Sequence, residues 1–173
     1  CTAKLNRWFD CVHWTWVQTI RSYVLGHDAE ELGSEMGHGT ANISEIVPDL
    51  GDNLTGLETQ PALDPEQARF RLFDSITAFL KKAAQRQALM LVLDDLHWAD
   101  RSSLLLLEHL TRELGESRIL LVGCYRDTDI ARQHTLAETL AQVSREPVFR
   151  RQSLRGLEQD DLGRFVEAAS GVS

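Results

Sequence analysis

The chain has 173 residues, 43% of them hydrophobic and 25% charged, which predicts one globular domain or one domain with a piece of another. A net charge of −8 argues against nucleic acid as a direct partner of this segment, because neutralising phosphates needs a basic face. Cys1, Cys11 and Cys124 form no CxxC pair and no zinc-ligand spacing, and no apolar run approaches the ~20 residues that span a bilayer, so a cytoplasmic, reducing setting is expected.

Trp8–Val12 reads as the remnant of a strand. Trp14, Val17, Ile20, Tyr23 and Val24 recur at helical spacing and predict a helix over 14–25 whose aromatic stripe is core. Asp28 is placed to cap a second helix, Ala29–Met36. Gly33–Thr40 is rich in glycine but holds no lysine and follows no buried strand, so it fails as a phosphate loop and reads as a turn. Ile43–Leu50 is expected as a short helix, and 51–64 as a long polar connection. Asp64 then caps a strong helix with Pro65 at its first position. Phe70, Phe73, Ile76, Phe79 and Leu80 give that helix its apolar face.

Ala88–Leu93 is an apolar run too short for a helix, which suits a strand buried on both faces of a parallel sheet. It ends in Asp94 and Asp95, and strand alternation sends neighbouring side chains to opposite sides. The carboxyl end of a strand tolerates such a pair and is where α/β sheets bind ligands. Chemically this is a Walker B arrangement, in which one carboxylate helps hold Mg²⁺ and the next positions a water for attack on phosphate. The alternative is an acidic turn that only caps the next helix. A metal-dependent hydrolase using Asp94, Asp95 and Asp100 is a weaker third reading.

Asp100 caps a helix over Ser102–Leu114, whose four consecutive leucines imply burial on more than one side. Ile119–Cys124 is a second buried strand, with Cys124 a core thiol, and strand–helix–strand makes a βαβ unit. Arg126 leaves that strand at the same edge, where it would either sense a γ-phosphate or pair with Asp127, Asp129 or the two acids. Thr135–Ser144 reads as a helix, Phe149–Leu154 as a third strand, and Leu157–Ala169 as a final helix.

The run Leu91–Asp100 with Ser102–Leu107 resembles the ATPase module of STAND regulators, signal-transduction ATPases that include large LuxR-type transcriptional regulators. Trp14–Gln18, Gln67–Phe73 and Gly123–Asp127 are similar to the same family. The resemblance implies a P-loop NTPase-like α/β fold, a mostly parallel sheet with helices on both faces. Residues 1–156 would form a partial core and 157–173 the start of a helical lid. It also implies ATP and Mg²⁺ as cofactors, Asp94 as the metal residue, Asp95 as the catalytic residue and Arg126 as the nucleotide-binding sensor. Implied partners are ATP or ADP, other domains of the same polypeptide and a second copy, with no membrane and no direct nucleic acid.

No Gly-x-x-x-x-Gly-Lys-Ser/Thr occurs anywhere in the sequence. A P-loop cradles phosphates with backbone N–H groups and that lysine. With a first residue that is not Met, the chain reads as truncated at its N-terminus. Two functions remain open: the ATP-hydrolysing switch of a multidomain regulator, incomplete here, and a non-catalytic interaction module that keeps the fold without nucleotide.

Overall fold

The computed structural model describes residues 14–48, 50, 64–130 and 134–170. The strand remnant expected at Trp8–Val12 and the connection at 51–63 lie outside them. Helix α1 spans Trp14–Leu25, α2 Ala29–Met36 and α3 Thr40–Ser44, with a 3₁₀ turn at Gly37–Gly39 before α3. The Asp28 carboxylate accepts the Glu31 N–H at 2.9 Å and starts α2. Gly37 ends it with φ of 52°, a conformation that costs a glycine little. The glycine-rich stretch is thus a tight helical junction. The helix expected at Ile43–Leu50 begins earlier and stops at Ser44. Pro48 lacks an N–H and disfavours helical backbone before it.

Helix α4, Pro65–Arg86, is the longest described element at 22 residues. Asp64 caps it, accepting the N–H groups of Glu66 and Gln67 at 3.0 Å. Leu72, Phe73, Ile76, Phe79, Leu80 and Ala83 are buried along one face. Phe70 is half exposed in the first turns of the helix, before the buried stripe begins at Leu72.

Strand β1, Leu89–Leu93, is followed by a 3₁₀ turn at Leu96–Trp98 and by α5, Arg101–Glu113. Strand β2, Ile119–Gly123, then pairs parallel to β1 in the register Leu89↔Ile119 to Leu93↔Gly123. This is the expected βαβ unit and the expected parallel α/β fold. Helices α6, Asp127–Ile130, α7, His134–Val143, and α8, Gln159–Ser170, complete the described elements.

One core joins α1, α2, α3, α4, β1, α5 and α7, with Trp16, Ile20, Phe73, Phe79, Leu93 and Leu106 among its fully buried members. Burying each such side chain contributes roughly 1.5–3 kcal/mol. A polar clamp closes its α1–α2–α4 corner. Glu35, 3% exposed, accepts the Tyr23 hydroxyl at 2.9 Å and an Arg86 guanidinium N–H at 3.3 Å. Burial, then the bond to Glu35, pushes the Tyr23 hydroxyl up to about 12.

Three expectations change. Strand β1 is buried on one face only: Leu91 and Leu93 are covered, while Met90 is 67% and Val92 46% exposed. Among the described residues the sheet has two strands, and Phe149–Leu154 is not one of them. A strand exists only where a neighbour completes its ladder, and no described strand pairs with that segment. Cys124 is exposed rather than buried, because β2 ends one residue earlier at the open edge of the sheet.

Candidate functional site at the carboxyl edge of the sheet

Asp94 and Asp95 follow β1 directly and both are exposed. Alternation along a strand is not what separates them, because pairing stops at Leu93. The Asp94 carboxylate accepts the N–H of Asp95 at 2.9 Å, and Asp95 adopts the left-handed region with φ 53° and ψ 41°. Aspartate is one of the few residues that visits this region readily. The chain thereby reverses within one residue into the Leu96–Trp98 turn, where the Trp98 N–H donates to the Asp95 carbonyl at 2.8 Å.

That turn is laced to the end of β2. The Leu96 N–H donates to the Cys124 carbonyl, and the Cys124 N–H to the Leu93 carbonyl, each at 2.9 Å. Leu96 also lies against Gly123: a Cβ there would sit 2.6 Å from Leu96 Cδ1. A larger residue at 123 would displace the end of the Leu96 side chain. His97 is buried beneath the turn, its Nε2 3.6 Å from Asp95 Oδ1. Nothing in the sequence marked this contact beyond the nearness of the two residues.

Asp100 caps α5 as expected, accepting from the N–H and hydroxyl of Ser103 at 3.0 and 2.8 Å. Those bonds engage both of its oxygens in the cap. The hydrolase reading needs three convergent carboxylates or histidines, and among the described residues no such group is placed to hold a metal ion. Trp16 donates its indole N–H to the Ser103 carbonyl at 3.2 Å, tying α1 to the start of α5. Trp16 is buried although the stripe read from the sequence does not include it; of that stripe Ile20 and Val24 are buried and Val17 and Tyr23 partly so.

Arg126 follows β2 at the same edge and is exposed. Its neighbour Asp127 pairs instead with Arg151 at 2.9 Å, and Arg151 lies 5.8 Å over the Tyr125 ring. The pairing of Arg126 with Asp127 envisaged from the sequence is therefore not the one formed. The carboxyl edge thus presents two exposed acids from one strand end and an exposed arginine from the next.

A parallel βαβ unit with polar groups gathered beyond its strand ends defines an α/β module of the P-loop NTPase-like class. A family model described as AAA ATPase domain matches residues 6–122. The match covers more than half of the chain, and the chain belongs to the AAA ATPase domain family. No curated protein and no solved structure matches it.

Proposed function

We propose that this chain is the nucleotide-dependent switch module of a STAND-type multidomain regulator, with Asp94 toward Mg²⁺, Asp95 toward the attacking water and Arg126 toward the γ-phosphate. The observation that carries the reading is the meeting of Asp94, Asp95 and Arg126 at one sheet edge, on strand ends tied together through Leu96 and Cys124. Magnesium keeps several waters and takes one or two carboxylates plus phosphate oxygens. Asp94 fits that demand. It is exposed, and only one of its oxygens is engaged among the described residues. When bound, the metal would neutralise charge on the phosphates. Asp95, held at a reversed turn, projects a carboxylate that water reaches. The helix from Gln159 onward, with no buried residue, suits the role of a lid.

The chain carries no P-loop sequence, so MgATP titrated calorimetrically into it should show no micromolar affinity. In a polypeptide that joins this module to a P-loop, Asp95→Asn should bind MgATP normally and lose turnover by ~10²–10⁴-fold. Asp94→Asn should lose Mg²⁺-dependent affinity. Unchanged hydrolysis in both variants would reduce the acid pair to a turn. A second reading, an interaction module without nucleotide, draws support from the exposed apolar residues Met90, Val92 and Leu120 on the sheet.

A further inference from the structure

The backbone of Asp95 is fixed on both sides. Its N–H donates to the Asp94 carboxylate at 2.9 Å, and its carbonyl accepts from the Trp98 N–H at 2.8 Å. Neither bond sets the direction of its side chain. Among the described residues the group that reaches that carboxylate is the His97 ring, with Nε2 3.6 Å from Oδ1. Residues two apart on a helix do not face each other, so the contact belongs to the reversed backbone at Asp95.

The two partners differ in freedom. His97 is 1% exposed, and its ring lies 5.5 Å from the ring of the exposed Trp98. A side chain packed this closely has no room to swing. The Asp95 side chain is short and 60% exposed, and on its own it would sample several staggered rotamers. The buried ring is thus the fixed member of the pair, and the carboxylate is the member that is aimed. An ionised carboxylate only accepts, so the contact calls for a proton on Nε2. The pair is longer than a hydrogen bond, which spans about 2.7–3.2 Å for a nitrogen donor. Such bonds are often long in unliganded sites and tighten when substrate arrives. With Oδ1 engaged, Oδ2 is left to meet water.

We propose that His97 is a positioning residue for Asp95: its Nε2–H holds Oδ1 and so turns Oδ2 toward the water that Asp95 orients. This role rests on the nucleotide reading for the water, whereas the aiming of the carboxylate is a property of this chain alone.

The test is residue-resolved NMR on the whole chain at neutral pH, without nucleotide. In the unaltered chain the His97 ring should carry a proton on Nε2, read from long-range proton–nitrogen correlation. The Hα–Hβ couplings of Asp95 should report a single staggered χ1 rotamer. His97→Phe keeps an aromatic ring in place and removes the donor, and Asp95 should then average among rotamers. His97→Gln keeps an amide N–H at similar reach and should restore the single rotamer. A role in packing alone would give the reverse order, because phenylalanine fills the space of the ring better than glutamine. A bare Nε2, an averaged Asp95 in the unaltered chain, or a single Asp95 rotamer in His97→Phe would each overturn the proposal. Should neither variant fold, the two readings on the unaltered chain still decide. In a polypeptide that joins this module to a P-loop, His97→Phe should lower turnover about 10–100-fold with MgATP affinity unchanged, and His97→Gln should recover most of it. Asp95→Asn measured beside them separates the two failures. Full turnover in Asp95→Asn would remove the water-positioning reading and leave the NMR result standing, whereas full turnover in His97→Phe alone would overturn the role of His97.

Discussion

Helices α5 and α8 have the same kind of sequence and opposite fates. Both carry apolar residues at helical spacing. In α5, Leu104, Leu106, Leu107 and Leu110 are buried, while in α8 Leu162, Phe165 and Val166 are all more than half exposed. From Ser144 to Ser170 no described residue is buried at all. The difference lies in what each helix is attached to. Helix α5 links two paired strands and is pressed onto α4 and α7. Helix α8 follows a segment that no strand holds. Periodicity therefore tells which face of a helix is apolar, and the presence of a complementary surface decides whether that face is covered.

The largest effect that would break this comparison is in stability. Leu106→Ala in α5 should cost ~2–5 kcal/mol by urea denaturation, as a large-to-small change in a closed core. Phe165→Ala in α8 should stay within ~0.5 kcal/mol. A comparable loss from both would show that α8 is docked in solution.

The second effect sharpens the comparison at the polar corner of the packed half. Glu35→Gln should cost about 1.5–3 kcal/mol, since it removes the charge from a buried acceptor held by Tyr23 and Arg86. The Tyr23 hydroxyl is raised from 10.0 to about 12 in the folded chain. A raised folded value means that the protonated form is the one folding favours. Its contribution is full below pH 10 and is lost as pH climbs toward 12. Stability measured across that window should fall, and Tyr23→Phe should flatten the decline. An unchanged slope in the variant would assign the decline to other groups.

The smallest effect is kinetic. Trypsin at low concentration should cut after Arg155 and Arg164 well before Arg112, although all three are exposed. Cleavage needs local opening, which is easiest where few apolar contacts resist it. Early cleavage at Arg112 would contradict the ranking.

Much of the fold was legible. Asp28, Asp64 and Asp100 each cap the helix that their position predicted, because capping is a local interaction between a side chain and the N–H groups just after it. The βαβ unit was legible for a similar reason, as two apolar runs and an amphipathic helix at the right separation. What failed was non-local. Phe149–Leu154 has the composition of a strand, but strand formation depends on a partner that its own residues do not encode. Cys124 continues an apolar run, yet the sheet stops at Gly123. In the candidate site, the residue types at 94, 95 and 126 were legible from their place after the strands. The reversed backbone at Asp95, the buried His97 behind it and the Arg151–Asp127 pair were not, since each depends on tertiary contacts.

The reversed backbone at Asp95 has an evolutionary consequence. A position with φ of 53° accepts a short alphabet: aspartate and asparagine with modest cost, glycine freely, and β-branched residues only with distortion of the turn. Drift at this site is therefore channelled by geometry before any selection on chemistry acts. Asparagine is the substitution closest in shape, and it exchanges a carboxylate for an amide while leaving the turn intact. On the role proposed for Asp95, a lineage could abandon hydrolysis here in one step without unfolding its domain.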